Sequence, residues 1–109
     1  MQWHVYETAI QLIQALRPVV AKLATQDPKL SDQIRGAASS VTANLNEGRR
    51  RTGKDRMQLW RIAHGSADEV RGHLDTAEAW GYFDADLTMP ARVLLDRVLA
   101  MLYRMLHPR

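Results

Sequence analysis

The run of basic residues between positions 49 and 61 is the part of this 109-residue sequence best suited to binding chemistry. It contains only one acid, Asp55, against six bases: Arg49, Arg50, Arg51, Lys54, Arg56 and Arg61. Clustered guanidinium and ammonium groups neutralise phosphates and release counterions, which gives nucleic-acid affinity that is salt-sensitive and indifferent to sequence. The alternative interpretation is a solvated turn between two helices, whose charge serves solubility alone.

An acidic region follows the basic run and carries the opposite charge. Residues 68–86 hold six acids and one base, although the whole chain has a net charge of only +3. Such an uneven layout bears on partners and on self-association. It leaves open an alternative function, a structural homo-oligomer without nucleic-acid contact, in which the acidic region of one copy joins the basic region of the next.

Two glutamates, Glu47 and Glu69, are the candidates for metal or acid–base chemistry. A di-metal bundle uses Glu-x-x-His from facing helices, and that spacing does not occur here. The sequence has no Cys, its four His are scattered, and no Ser has an evident base. We therefore expect no enzyme activity, no metal and no cofactor, and we expect both glutamates to bond backbone or Arg side chains where helices meet.

The three tryptophans, Trp3, Trp60 and Trp80, are candidates for a subunit interface. Trp60 follows Leu59, the first residue of an apolar stripe, so we expect it beside the core. Large amphipathic side chains at such positions often anchor interfaces. The alternative is that they shield the edge of a core.

Apolar residues recur every three or four positions in four segments, which predicts amphipathic helices. The predicted helices span about 3–26, 31–48, 53–80 and 88–107. The first stripe is Val5, Ala9, Leu12, Leu16, Val19 and Leu23, and the third runs from Leu59 through Ala63, Ser66, Val70 and Leu74 to Ala77. Short links make neighbours antiparallel, so the sequence predicts an all-α, antiparallel up-down four-helix bundle, with residues 1–109 as one domain.

Several residues mark where these helices should begin and end. Pro18 predicts a kink or a break near residues 16–17. The Asp27-Pro28 pair should end the first helix, and Ser31 should cap the second. Gly48 is expected to end the second helix or to loosen its end.

The later helices carry similar signals. Thr52 and Asp55 have the spacing of a reciprocal cap for the third helix. Gly81 should stop that helix, and the two aromatic residues after it should fold back onto the bundle. Asp86 or Thr88 should cap the fourth helix.

The expected compartment is the cytoplasm, without a membrane partner. The first seven residues have neither a basic nor an apolar segment typical of a signal peptide. No apolar run approaches the roughly 20 residues that a bilayer span requires.

Two spaced motifs resemble a known bacterial family. They are Asn44-Leu45-Asn46-Glu47-Gly48 and Ala63-His64-Gly65-Ser66-Ala67-Asp68-Glu69. They resemble the Asn-Ile-Ala-Glu-Gly and Ala-x-Gly-Ser-x-x-Glu elements of the four-helix-bundle family encoded in intervening sequences of large-subunit ribosomal RNA genes. The resemblance implies structural roles for the motif residues, which are Asn44, Glu47, Gly48, Gly65, Ser66 and Glu69.

The same resemblance implies that the protein assembles with itself, since pentameric rings are known among relatives. It also implies kinship with the accessory variability protein of diversity-generating retroelements, a basic pentamer that partners a reverse transcriptase and contacts RNA. The expected partners are therefore further copies of the chain, RNA or DNA, and a reverse transcriptase. The leading functional hypothesis is an oligomeric helical scaffold that binds nucleic acid, or an enzyme acting on it, through the basic run.

Overall fold

A computed structural model describes residues 3–108 of the chain. Over that range the chain forms α1 (His4–Gln26), α2 (Pro28–Arg49), α3 (Gly53–Ala79) and α4 (Ala85–Leu106), with no strand. The bundle measures 42 × 23 × 22 Å. The predicted all-α four-helix architecture is confirmed.

The four helices stand at the corners of a square. Each packs against its neighbours in the chain, and α1 also packs against α4, whereas within residues 3–108 the backbones of neither diagonal pair come within 8 Å, Cα to Cα. The cross-helix bonds show that neighbours are antiparallel, because Ser31 near the start of α2 bonds Val20 near the end of α1. One end of the bundle therefore gathers the starts of α1 and α3 with the ends of α2 and α4; we call it the basic end, because it carries the α2–α3 loop.

A single apolar core runs the length of the bundle. The predicted α1 stripe is buried at every position. Burying one such aliphatic side chain contributes about 1.5–3 kcal/mol, so the core is the main source of stability. In α3, however, Leu59 is only half-buried, and Trp60 packs against the core instead. No helix within residues 3–108 is long and apolar enough to cross a bilayer.

The turn between α1 and α2 corrects the predicted start of the second helix. Helix α2 begins at Pro28, not at Ser31. Proline has no backbone N–H, and it is tolerated here because the N–H groups in the first turn of a helix have no partner within the helix. Asp27 is the N-cap, and its Oδ1 accepts from the backbone N–H of Leu30 at 3.1 Å. Ser31 is buried in the next turn, where its hydroxyl donates to the Val20 carbonyl at 2.9 Å.

Pro18 does not break α1, which runs without interruption from His4 to Gln26. A proline inside a helix leaves the carbonyl four residues earlier, here that of Gln14, without its usual donor. Both Pro18 and Gln14 are exposed, so water is available to that carbonyl. The predicted break is therefore wrong, and the predicted kink stays a prediction.

The link between α3 and α4 confirms the role of Gly81 and corrects the start of the fourth helix. Gly81 has φ +79°, and the N–H groups of Gly81 and Tyr82 donate to the carbonyls of Glu78 and Ala77. This pair of backbone hydrogen bonds is the pattern of a helix that ends at a glycine. The aromatic pair folds back as predicted: Phe83 is buried, and the hydroxyl of Tyr82 donates to Asp27 Oδ2 at 3.0 Å.

Helix α4 begins at Ala85, and the residue at its N-cap position is Asp84. The predicted caps, Asp86 and Thr88, both lie inside the helix. Thr88 is fully buried, and its hydroxyl donates to the Ala85 carbonyl at 3.1 Å. The hydroxyl thus finds a partner within its own turn, so its burial leaves no polar atom unsatisfied.

We predict that Asp27→Ala lowers the free energy of unfolding by about 1 kcal/mol through the lost cap, and by a further amount through the lost Tyr82 contact. The hydrogen bond to Asp27 is the main cause that raises the pKa of Tyr82, followed by burial and the Asp27 charge. A raised pKa means that this contribution is complete below the ordinary tyrosine pKa and is lost as the pH rises through the folded value.

Urea unfolding of Asp27→Ala, Tyr82→Phe and the double variant measures the contact. Asp27→Asn is the matched control, because asparagine caps as well as aspartate. Strictly additive losses in the double variant would contradict the bond between Asp27 and Tyr82.

Candidate nucleic-acid interface

Small side chains line the contact between α2 and α3, which is the most extensive contact between two helices in the described part of the chain. Ala37 and Ala38 of α2 and Ala63 and Ala67 of α3 are all buried. Such short side chains reduce the distance between helix axes. Gly36 of α2 and the motif residue Gly65 of α3 do not serve this contact, since both are exposed and a Cβ at either would meet nothing within 4 Å.

A short polar chain crosses this contact. The Ser66 hydroxyl donates to Ser40 Oγ at 2.9 Å, and Asn44 Nδ2 donates to both the Ser40 carbonyl at 2.9 Å and Ser40 Oγ at 3.0 Å. Each polar group is therefore satisfied in a partly buried place, where an unpaired one would be costly. The bond from Ser66 to Ser40 thus fixes the register of the two helices, and Asn44 orients Ser40 from within α2.

Nearer the basic end, Trp60 lies against Gly48. A Cβ built on Gly48 would stand 2.6 Å from both Cδ1 and Nε1 of the indole, which is far too close. The indole Nε1 donates to the Leu45 carbonyl at 3.3 Å. Gly48 does not end α2 as predicted: it lies buried within the helix, without positive φ, and makes room for Trp60.

Trp60 also belongs to a cluster of aromatic rings and arginine side chains. Its ring centroid lies 6.1 Å from that of Trp3, which stacks on Tyr6 at 6.2 Å. The Arg49 guanidinium carbon lies 5.0 Å from the Trp3 centroid, and that of Arg56 lies 5.3 Å from the Trp60 centroid. Cations over aromatic faces at these distances are attracted by the ring electrons. Trp3 and Trp60 of the predicted interface set therefore meet each other within one chain.

Arg56 holds the end of α2. Its Nε donates to the Gly48 carbonyl at 3.2 Å, and its terminal nitrogen donates to the Arg49 carbonyl at 3.0 Å. The last carbonyls of a helix lack intrahelical donors, and the partial negative charge there favours a cation. The predicted reciprocal cap of α3 is absent, since Thr52 stands at the N-cap position but its side chain makes no capping bond.

Glu47 neutralises part of the basic loop. Arg51 donates to Glu47 Oε1 from its Nε at 3.3 Å and its terminal nitrogen at 2.9 Å, and Arg50 donates to Oε2 at 3.3 Å. The hydrogen bond from Arg51, and then the charges of Arg50 and Arg51, lower the pKa of Glu47. The expectation that Glu47 bonds arginine side chains is confirmed.

Three bases of the run keep their side chains exposed and have no ion pair within residues 3–108: Arg49, Lys54 and Arg61. Lys54 and Arg61 are seven residues apart on α3, so they share one outer face about 10 Å apart. Their charges, unlike those of Arg50 and Arg51, are not offset by a neighbouring carboxylate. These three residues are the part of the basic run available to an anion.

Sequence reasoning missed one base at this end, Arg104. The antiparallel topology brings the last turns of α4 beside the start of α1, where Arg104 lines a surface depression of about 390 Å³ with Trp3 and Met101. The signal in the sequence was a basic residue in the last turn of a helix. Its place at the basic end depends on the fold, because Arg104 lies 43 positions after Arg61 in the sequence.

The remaining predicted residues lie away from the basic end. Glu69 pairs with His73 Nε2 at 3.2 Å on the surface of α3, one turn away along the same helix. The expectation that Glu69 bonds backbone or an Arg side chain where helices meet is therefore wrong. In the part of the chain that the structure describes, no three His, Asp or Glu groups come together to hold a metal ion. Trp80 is 70% exposed at the opposite end of the bundle, so its predicted interface role stays a prediction.

The comparisons with known proteins decide the family. A family model described as 23S rRNA-intervening sequence protein matches residues 1–104. The chain belongs to this family. The resemblance to the family that the two motifs indicate is therefore confirmed. In this 23S rRNA-intervening sequence protein the motif residues Asn44 and Ser66 make the Ser40 contacts, and the motif residue Gly48 makes room for Trp60.

One similar solved structure is a protein with unknown function from the S23 ribosomal protein family of Bacteroides thetaiotaomicron VPI-5482. The two share 16% identity over 94% of this chain and 97% of that chain, with a TM-score of 0.82. At this identity the likeness supports the fold alone. No curated protein matches the sequence.

We predict that Gly48→Ala destabilises the protein by about 1–2 kcal/mol, because overpacking against the bonded indole exceeds the gain in helix propensity. Gly36→Ala is the matched control: it lies in the same helix with open space around it, so it should stabilise by about 0.5–1 kcal/mol. Thermal unfolding of both variants measures the difference. Equal stabilisation by both substitutions would show that Trp60 does not need the room at Gly48.

Proposed function

We propose that the protein is a non-enzymatic helical scaffold whose basic end binds the phosphates of nucleic acid. One observation carries the proposal: after the internal bonds of the basic loop are accounted for, Arg49, Lys54 and Arg61 remain exposed and have no ion pair within residues 3–108. Cations in that state are the ones that displace counterions from a phosphate backbone.

The geometry supports backbone contact more than reading of bases. Arg56 is engaged with the carbonyls of α2, and Arg50 and Arg51 share Glu47. Of the three remaining cations, Arg49 is the last residue of α2, and Lys54 and Arg61 lie exposed on one face of α3. Phosphate contacts of this kind position a protein without specifying sequence. RNA is the first polymer to test, because the family description refers to an rRNA-intervening sequence.

Self-association, with a pentamer as the expected form, is part of the proposal. Several exposed apolar side chains, including Trp80, Met89 and Tyr103, favour an assembly of copies. Repeating a weak three-cation patch in one assembly increases the effective affinity for a polymer without any new contact. A reverse transcriptase remains the proposed protein partner. A structural assembly with no nucleic-acid contact is the second candidate, which the same apolar residues favour.

We predict that Arg49→Ala, Lys54→Ala and Arg61→Ala together weaken binding of single-stranded RNA. Loss of three phosphate contacts should also reduce the slope of log affinity against log salt by about 2. Fluorescence anisotropy with labelled RNA over a series of salt concentrations measures both quantities.

The matched control is Lys22→Ala, Lys29→Ala and Arg97→Ala, which removes the same charge from exposed positions outside the basic run that have no ion pair within residues 3–108. It should change the affinity far less. Equal weakening by the two triple variants would reduce the proposal to an effect of net charge. RNA binding by neither variant nor the unchanged protein would favour the structural assembly.

We predict that Glu47→Gln strengthens RNA binding and steepens its salt dependence, because it releases the guanidinium groups of Arg50 and Arg51. The variant should also lose the stability that the ion pairs of the Glu47 carboxylate contribute. Because the pKa of Glu47 is lowered in the folded protein, that contribution is present above the ordinary glutamate pKa and is lost as the pH falls through the folded pKa. Glu69→Gln is the control, because it removes the same charge from a surface pair in α3. Unchanged RNA binding in Glu47→Gln would exclude Arg50 and Arg51 from the contact surface.

A further inference from the structure

Helix α4 presents an apolar stripe to solvent on its outer face, away from the core. Its members recur at spacings of four and three residues: Met89, Val93, Asp96, Ala100 and Tyr103. Met89 is 51% exposed, Val93 44% and Tyr103 56%. Asp96 stands in the middle of this α4 stripe and has no ion pair within residues 3–108. A carboxylate centred in an exposed apolar strip is suited to a partner that offers a cation surrounded by apolar surface.

A groove of about 460 Å³ between α1 and α2 has the complementary chemistry. Leu16, Ile34 and Ala38 form its buried floor. Arg17 on α1 and Arg35 on α2 are exposed at its edges, and neither has an ion pair in the described part of the chain. We call this surface the α1–α2 groove.

The two arginines lie opposite each other at one height along the bundle. The bond between Ser31 and Val20 sets the register of the two antiparallel helices. Arg17 is three residues before Val20 and Arg35 is four residues after Ser31, so both lie about 5 Å from that bond in the same direction. A single carboxylate laid along the groove would therefore meet an arginine on each side.

We propose that the α4 stripe of one copy docks in the α1–α2 groove of a second copy, with Asp96 between Arg17 and Arg35 of that copy. Apolar side chains on both sides of Asp96 would cover the apolar floor, while the charges select the register. Charged pairs of this kind give specificity to an interface that apolar contact alone would leave free to slide.

A second copy is the occupant that the chain itself supplies. The groove has an apolar floor between two arginines, which an extended apolar ridge with one central acid would complement. Residues 89–103 of α4 are such a ridge, about 21 Å long. The groove and the ridge also lie on different sides of the bundle: α4 is diagonal to α2, and Arg92 at the edge of the stripe pairs with Asp75 and Glu78 of α3. Each copy therefore offers one of each surface, and the contact is heterologous.

This inference rests on the self-association in the proposed function and names its interface. The test compares the unchanged protein with a stripe variant, Asp96→Arg, and a groove variant, Arg17→Glu with Arg35→Glu, by light scattering after size-exclusion chromatography. Asp84→Arg is the matched control, since it makes the same charge change at the N-cap of the same helix, outside the stripe. Circular dichroism melting curves establish that all variants are folded.

The unchanged protein and Asp84→Arg should form the same assembly, whereas the stripe variant and the groove variant should each have the mass of one chain. An equimolar mixture of the two defective variants should assemble again, because the intact groove of one meets the intact stripe of the other and the reversed charges also match. A single-chain mass for the unchanged protein, normal assembly of either variant, or failure of the mixture to assemble would overturn the interface.

RNA binding separates this inference from the proposed function. The stripe variant keeps Arg49, Lys54 and Arg61, so it should bind RNA in a salt-sensitive manner as a single chain, with lower apparent affinity. The Arg49, Lys54 and Arg61 triple variant should assemble normally. The two surfaces thus fail independently, in different measurements.

Discussion

The close contact of α2 with α3 through small side chains is the constraint on which the rest of the structure depends. Alanines on both helices allow the approach, and Ser40, Asn44 and Ser66 hold one register. In that register Gly48 comes to lie beneath Trp60. The indole in turn gives Arg56 a surface from which it reaches the carbonyls at the end of α2. The shape of the basic end therefore follows from packing several turns away.

Several arginines of this loop are already bonded to groups of the same chain. Helix α2 ends at the first of three successive arginines, which places all three beside its own negative end, and Glu47 one turn earlier pairs with Arg50 and Arg51. The charge available to a partner is therefore smaller than the composition of the run indicates. The available charge lies at Arg49 and along α3 at Lys54 and Arg61, and Arg104 of the last turn of α4 is exposed at the same end of the bundle.

Periodicity predicted most of the fold, because burial follows the helical repeat: the six α1 positions of the stripe are all buried. Residue types that mark a helix start were less decisive where two candidate N-caps lie within one turn of each other. Asp27 and Ser31 are both good caps, so residue type alone does not choose between them. In the structure Asp27 is the cap, and the Ser31 hydroxyl donates instead to the Val20 carbonyl across the α1–α2 contact. Gly48 and Trp60 were each visible in the sequence, but their contact spans 12 residues and a turn. Likewise, the run of bases was evident, whereas its internal partners required the loop geometry.

The positions of the three tryptophans allow intrinsic fluorescence to report on the two ends of the bundle. Trp3 and Trp60 lie together at the basic end under two guanidinium groups, whereas Trp80 faces solvent at the far end of a bundle 42 Å long. Emission from the first pair responds to the position of the arginines above the rings, and emission from Trp80 responds to events at the other end. Replacing Trp80 by Phe would therefore leave an intrinsic signal confined to the basic end.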